Sequence, residues 1–328
     1  MAVSADSGSD KGLIAIDLSC CDLAHSASLV RQACLDGGFF YVINHGIRQE
    51  LFEELFDRSR TFFQLPLEEK MKALKNENFR GYTPLMDQML DPSKQTKGDC
   101  KEGYYIGVEV AKDDPRATKP FSGPNVWPSA DILPGWRQTM EKYHQEALSV
   151  GRRVARLIAL ALNLEADFFD KPEILEEPNA ILRLLHYVDE ISKPELGIYG
   201  AGAHSDFGLL TLLVTDEVSG LQICKNKDAE LQIWEDVHPL RGAFIVNIGD
   251  MLERWTNGIF RSTLHRVLLF GQERYSVAYF LEPGPDCLVE CLPTCHSESN
   301  PPKHFPVKYG DYLAQRFKDT GSDLSSSY

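Results

Sequence analysis

The chain has 328 residues, 43% of them hydrophobic, with 34 basic and 48 acidic side chains and a formal charge of −14. That balance disfavours a general binder of nucleic acid or anionic membrane, because phosphate contacts need clustered Lys and Arg, while the apolar fraction suffices for a sizeable core in one domain or two. No apolar run reaches the length of a membrane span, and residues 1–12 are small and polar without a signal-peptide pattern, so a loose tail on a soluble, cytoplasmic protein is expected.

Residues 26–36 read as a helix, with Ser26 or Ser28 as N-cap and Gly37-Gly38 as the stop. Residues 39–44 form a buried apolar strand. Leu51, Phe52, Leu55, Phe56 and Phe62 recur at helical spacing and predict a helix over 49–63, with Pro66 starting another short one. From 76 to 134 the pattern weakens into Gly, Pro, Asp and Lys, with one extended piece at 103–110. Long irregular segments in a compact domain are often functional lids. Residues 138–164 make a long helix with an apolar stripe, of the kind that crosses the outside of a sheet, and 167–178 is a break.

Short β-like runs then dominate: 181–187, 209–215, 220–224, 231–237, 243–248, 263–270 and 275–281. Many short strands with turn signals argue for an antiparallel sandwich or jelly roll, so the expected fold is mainly β with flanking helices. Residues 250–255 read as a helical insert, 309–318 as a C-terminal helix and 322–328 as a frayed tail.

Chemistry concentrates near Gly200-Ala201-Gly202-Ala203-His204-Ser205-Asp206-Phe207. His204 and Asp206 are two apart, and in extended backbone such residues point to one side. The small residues before them keep the approach open. His265, 59 positions after Asp206 (265 − 206), is the best third ligand. Two histidines and one carboxylate leave open positions on the metal, the ligand set of non-haem Fe(II) oxygenases. Nine residues after His265 come Arg274 and Ser276, again two apart. A guanidinium fork and a hydroxyl near a metal suit a bound dicarboxylate. Gly271 supplies a turn, so the two segments read as a hairpin.

In this order and spacing, His204-x-Asp206, His265 and Arg274-x-Ser276 resemble the 2-oxoglutarate- and Fe(II)-dependent dioxygenases. The closest resemblance is to the plant small-molecule members of the isopenicillin N synthase-like superfamily. The stretches 38–46, 62–66 and 247–250 and Asn257-Gly258 fit as well, and the similarity spans about residues 10–320. It implies a double-stranded β-helix core within one catalytic domain over 13–320. That domain divides into an N-terminal part with a substrate lid (13–178), a jelly-roll core (179–283) and a C-terminal segment and helix (284–320). It implies Fe(II) on His204, Asp206 and His265, and 2-oxoglutarate as cosubstrate, its far carboxylate on Arg274 and Ser276. O2 is the oxidant and ascorbate the reductant. Tyr187 stands where many plant members have the second Tyr of Asn-Tyr-Tyr-Pro, which helps hold the cosubstrate. This chain has Leu185-His186-Tyr187-Val188 there, a departure that sets it apart from the best-known hormone and flavonoid branches. Because the family's irregular segment covers the substrate entrance, Arg80, Tyr82, Lys101, Tyr104 and Tyr105 are candidate substrate contacts, with Phe207 beside the metal motif. The reaction implied is oxidative decarboxylation of 2-oxoglutarate coupled to hydroxylation, demethylation or desaturation of a small metabolite, in plant secondary or hormone metabolism.

Two other readings remain open from sequence. One is an iron oxidase of the same fold whose Arg-x-Ser pair serves the substrate. The other is a non-catalytic metal-binding jelly-roll protein, although a closed structural site usually has four ligands. Cys287, Cys291, Cys295 and His296 could be read as a zinc set, but their spacing is unusual and prolines interrupt it. The partner expected is a small-molecule substrate, with neither nucleic acid nor membrane; the oligomeric state is not legible.

Overall fold

The structure, a computed structural model, describes residues 12–319. The expected tails therefore lie outside the described residues, Gly12 apart.

The chain opens with β1 (Ala15–Asp17), α1 (Leu23–Asp36) and β2 (Phe39–Ile43). α1 begins earlier than its serines suggest. Asp22 caps it by accepting the His25 N–H at 2.9 Å, and Ser26 is buried inside it. Asp and Ser cap about equally well; the apolar face, carried by Val30, Ala33 and Cys34, decides where the helix must start to bury them. α2 (Gln49–Phe63) falls where its periodicity predicts, followed by α3 (Leu67–Met71), β3 (Gly81–Thr83) and β4 (Lys101–Gly107). α4 (Trp136–Ala161) is the long helix.

The β-rich half comprises β5 (Asn179–Tyr187), β6 (Ala201–His204), β7 (Leu210–Thr215), β8 (Leu221–Cys224), β9 (Glu235–Asp236) and β10 (Phe244–Ile248). Then come α5 (Asp250–Trp255), β11 (Leu264–Val267), β12 (Arg274–Glu282), β13 (Leu288–Val289), β14 (Val307–Lys308) and α6 (Tyr309–Asp319). Eight strands form one sheet in the order β1-β2-β10-β7-β12-β5-β4-β3, and four form a second in the order β6-β11-β8-β9. This is the expected mainly β fold with a jelly-roll core.

Strand alternation separates two interiors. On β12, Tyr275, Val277, Tyr279 and Leu281 pack with Phe52, Tyr143 and Val150 in the cluster under α2 and α4. The intervening Arg274, Ser276 and Ala278 line a pocket between the sheets instead. Between the sheets, Phe39, Leu185, Tyr187, Ile223 and Val267 form a smaller apolar cluster. A side-chain period of two thus puts the core on one face and polar chemistry on the other.

Two expectations are corrected. β11 and β12 do not form a hairpin: β11 pairs with β6 and β8, and β12 with β5 and β7. Gly271, at φ +78°, does turn the chain, but from one sheet to the other. The run 231–237 contributes only the two residues of β9, and Leu231 and Ile233 are exposed. Its alternation of apolar residues finds no partner strand over most of its length.

Candidate metal centre and its two pockets

His204 ends β6 and His265 lies on β11, and the two are direct cross-strand partners with ring centroids 4.2 Å apart. Asp206 follows β6 on the loop into β7. Its Oδ1 stands 3.9 Å from His204 Nε2 and 3.6 Å from His265 Nε2. Among the described residues this is the one group of three metal-capable side chains that converges, its ligand atoms within 4.8 Å of one another. The Cys287, Cys291, Cys295 and His296 set does not assemble.

The arrangement is prepared for a cation. The Nδ1 of His204 faces the Gly202 carbonyl at 2.8 Å, and that of His265 faces the Thr263 carbonyl at 3.2 Å. A ring nitrogen against a carbonyl must carry the proton, so each Nε2 presents a lone pair. Asp206 Oδ2 accepts from Thr211 Oγ1 at 2.6 Å and Asn247 Nδ2 at 2.7 Å, which leaves Oδ1 for the centre. Burial, then the neighbouring His265, pulls the His204 imidazole down to about 3. Burial alone would raise Asp206, but the two histidines and its hydrogen bonds hold its carboxyl below the ordinary value. A neutral imidazole beside an ionised carboxylate is the protonation state that metal binding requires.

On one side of the triad is a narrow pocket of about 60 Å³, reached by Arg274, Ser276, Tyr187 and Lys101. Arg274 sits opposite Tyr187 in the β12–β5 register, its guanidinium 4.9 Å from that ring's centroid. It is 2% exposed. Its Nε donates to the Val218 carbonyl at 3.2 Å, while Nη1 has no partner. No carboxylate lies within ion-pair distance among the described residues. The Ser276 hydroxyl lies beside Tyr187 without a hydrogen bond of good geometry. A buried guanidinium with an unused N–H is costly unless a ligand supplies the acceptor, so the donor set fits a carboxylate. Lys101, anticipated as a substrate contact, reaches this pocket and pairs with buried Asp99. Burial pulls its ammonium down to about 8 in spite of that partner.

On the other side opens a cavity of about 310 Å³, with Phe79, Phe121, Phe207, Phe280 and Phe317 among its walls. Arg80, Tyr105 and Phe207, expected as substrate contacts, are among its lining residues. Tyr82 and Tyr104 are not: they pair across β3 and β4 and pack with Phe62 under the helices. Their hydroxyls bond Glu102 and the Val126 carbonyl. Tyr105, one residue on, points the opposite way by strand alternation. Arg183, Glu282 and Arg316 also line the cavity and escaped the sequence reading. Arg183 was within reach of that reading, since it shares the face of Tyr187 at even spacing. Arg316 was not, because nothing local brings α6 to the cavity.

Comparison with known proteins agrees with this construction. Residues 14–130 match the N-terminal region described as "non-haem dioxygenase in morphine synthesis", and residues 178–283 match the 2OG-Fe(II) oxygenase superfamily. Kihadalactone A synthase LFS of Citrus sinensis is 51% identical over 309 residues, covering 94% of this chain and 92% of that one. Azadirone synthase LFS of Melia azedarach is 52% identical over 303 residues, covering 92% and 91%. A full-length protein of Neurospora crassa, solved in complex with alpha-KG and thymine, superposes with a TM-score of 0.80 at 30% identity, covering 97% of this chain and 100% of that one.

Proposed function

Because the chain belongs to the 2OG-Fe(II) oxygenase superfamily, we propose that His204, Asp206 and His265 hold its iron and that Arg274, with Ser276 and Tyr187, holds the far carboxylate of 2-oxoglutarate. The protein is a dioxygenase that uses Fe(II), 2-oxoglutarate and O2. When bound, iron and cosubstrate supply the oxidising chemistry: 2-oxoglutarate is decarboxylated to succinate and CO2, and a C–H bond of the prime substrate is oxidised.

The chain's own residues do the rest. Three ligands leave positions for cosubstrate and O2. Arg274 grips a carboxylate as a fork rather than as a point charge. The β-sheet walls bury Asp206 and His265, and the larger cavity holds a small organic substrate next to the metal. The prime substrate is read as a small metabolite of plant secondary or hormone metabolism, a reading supported by the likeness to two plant proteins named as synthases of kihadalactone A and azadirone. Arg80, Tyr105 and Phe207 are its expected contacts. We read residues 13–320 as a single catalytic domain, supported by the sheet that β2–β10 and β4–β5 pairing makes common to both halves. The charge of −14 and eight free cysteines support a cytoplasmic protein that binds neither nucleic acid nor membrane. No helix among the described residues is long and apolar enough to cross a membrane.

The observation that carries the site assignment is the buried Arg274 N–H without an acceptor, beside a preformed His-Asp-His triad. Its test is anaerobic titration of the metal-free protein with Fe(II) and then 2-oxoglutarate, read by calorimetry. His204→Ala, Asp206→Ala and His265→Ala should each weaken iron binding and abolish turnover while the fold survives. Arg274→Ala should leave iron binding intact and raise the 2-oxoglutarate dissociation constant at least about tenfold. Unchanged iron affinity in all three ligand variants sinks the metal assignment; an unchanged cosubstrate constant sinks that of Arg274.

A further inference from the structure

The two histidines of the triad are not equally supported. His265 lies on β11, which is paired on both sides, with β6 and β8. His204 ends β6, the edge strand of its sheet. Its imidazole hangs on Gly202, whose carbonyl accepts from Nδ1. A side chain at 202 has no room: a Cβ there would lie 2.1 Å from Gln95 Oε1 and 3.0 Å from the Asp91 nitrogen. Glycine is the least constrained of backbones, and an edge strand presents N–H groups with no ladder partner. Something else must hold Gly202 still.

Its N–H donates to Asp99, a fully buried carboxylate 103 positions earlier in the chain. Asp99 Oδ1 accepts from Gly202 at 2.9 Å and from Gln95 Nε2 at 2.9 Å, while Oδ2 pairs with Lys101. Burial alone would raise the Asp99 carboxyl, but Lys101 and these hydrogen bonds hold it below its ordinary value. An ionised carboxylate is a strong acceptor for a backbone N–H. The chain beside Asp99 follows the same course: Thr96 N–H donates to the Gly197 carbonyl at 3.2 Å, and Cys100 N–H to the Tyr199 carbonyl at 3.0 Å. A single residue therefore separates carboxylate from imidazole. The Gly202 N–H is held by Asp99, and the Gly202 carbonyl holds His204.

The geometry points to Asp99 as the positioning residue for His204: by fixing Gly202 on the open edge of β6, it holds the carbonyl that sets the tautomer and aim of the imidazole. The inference rests on the metal reading of the triad and adds to it a group outside the motif that prepares one ligand. The same loop brings Gln88 and Leu90 to the cavity wall, and Asp99 N–H donates to the Gln88 carbonyl at 2.7 Å. The cavity wall and the metal ligand thus share one support.

The test compares two double variants of the full-length, metal-free protein. Both remove the Asp99–Lys101 ion pair, and they differ in one acceptor. Asp99→Asn with Lys101→Met keeps an oxygen for the Gly202 N–H; Asp99→Leu with Lys101→Met does not. Near-ultraviolet circular dichroism reports that each is folded. If the leucine variant does not fold, Asp99→Ser with Lys101→Met, whose side chain falls short of Gly202, replaces it under the same criteria. Proton–nitrogen correlation NMR of protein carrying labelled histidine reads the tautomer of each ring, with His204 and His265 assigned from the signals lost in their alanine variants. Co(II) binding is then titrated by calorimetry. In the wild type and the asparagine variant, His204 should keep its proton on Nδ1. In the leucine variant His204 should become a mixture of tautomers while His265 stays fixed. Its Co(II) affinity should fall about tenfold below that of the asparagine variant, the low end for groups that orient metal ligands. The proposal is overturned if His204 keeps one tautomer in both double variants, or if a wild type that binds Co(II) yields two variants that bind it alike. It is also overturned if His265 loosens together with His204, which makes the effect a general one. If the wild type itself binds no Co(II), the metal reading fails alone; the tautomer comparison, made without metal, still decides the role of Asp99.

Discussion

A carboxylate that binds a metal through one oxygen needs its other oxygen held, and Asp206, the iron ligand proposed above, accepts on Oδ2 from two donors, Thr211 and Asn247. Asn247→Leu should therefore lower iron affinity about 10–100-fold with little change in melting temperature, as for other groups that orient metal ligands; metal titration beside a thermal melt reads both. Glu282 is a different case. Burial pushes its carboxyl up to about 7 from an ordinary 4.5, in spite of the bond it accepts from Asn179 at 2.6 Å. A carboxyl raised on folding supports the native state fully below its unfolded pKa, and that support is lost as pH rises through the folded value. The depressed His204 imidazole moves stability the other way over part of this range, so the expected readout is a difference: the stability of the wild type relative to Glu282→Gln should fall between pH 5 and pH 8, and a constant difference rules out Glu282 as its source. The metal motif was legible at this scale because its chemistry lies in residue types two apart. Arg183 was not singled out, although even spacing puts it on the face of Tyr187, because sequence does not show whether a strand arginine has a carboxylate beside it.

Elements place these groups by close backbone contact. The turn into α5 runs against the loop carrying Asp206: Asp250 N–H donates to the Asp206 carbonyl at 2.8 Å, and Gly249 N–H to the Leu209 carbonyl at 3.1 Å. A Cβ at Gly249 would lie 2.3 Å from the Gly208 carbonyl oxygen and 3.0 Å from that of Asp206. Both obstacles are backbone, so the loop itself must shift. Gly249→Ala should cost about 1–3 kcal/mol of stability, the usual range for overpacking, and weaken iron binding, although residue 249 offers the metal no ligand atom. Denaturant unfolding and metal titration measure the two effects, and a variant with unchanged iron affinity would show the loop to be tolerant. At this scale α2 was predicted within its observed bounds because its aromatic spacing admits one frame. The supposed hairpin failed because turn chemistry shows that the chain reverses, not which strands then pair. Tyr82 and Tyr104 failed as cavity contacts for a related reason. Their segment was recognised as important, but the phase of β3 and β4 was fixed by the helical layer that buries them.

The whole molecule is organised by one sheet that draws β1 to β4 from the first half of the chain and β5, β7, β10 and β12 from the second. The cluster above it likewise mixes Phe62, Tyr104 and Trp136 with Leu182, Tyr279 and Tyr309. Neither half has a complete core, so heat should unfold residues 13–320 in one cooperative step, with calorimetry and tryptophan fluorescence giving coincident transitions. Two resolved transitions would mean that the part before residue 178 folds as a unit of its own. The sequence by itself determined the reaction class, the iron ligands proposed and the mainly β architecture, because these rest on local spacing, alternation and residue chemistry. Only the tertiary structure decided which strands are neighbours, which face each tyrosine takes, and that α6 and Arg183 both reach the cavity beside the metal. Those facts depend on contacts between residues far apart in the chain, where burial and the absence of a partner exist only after folding.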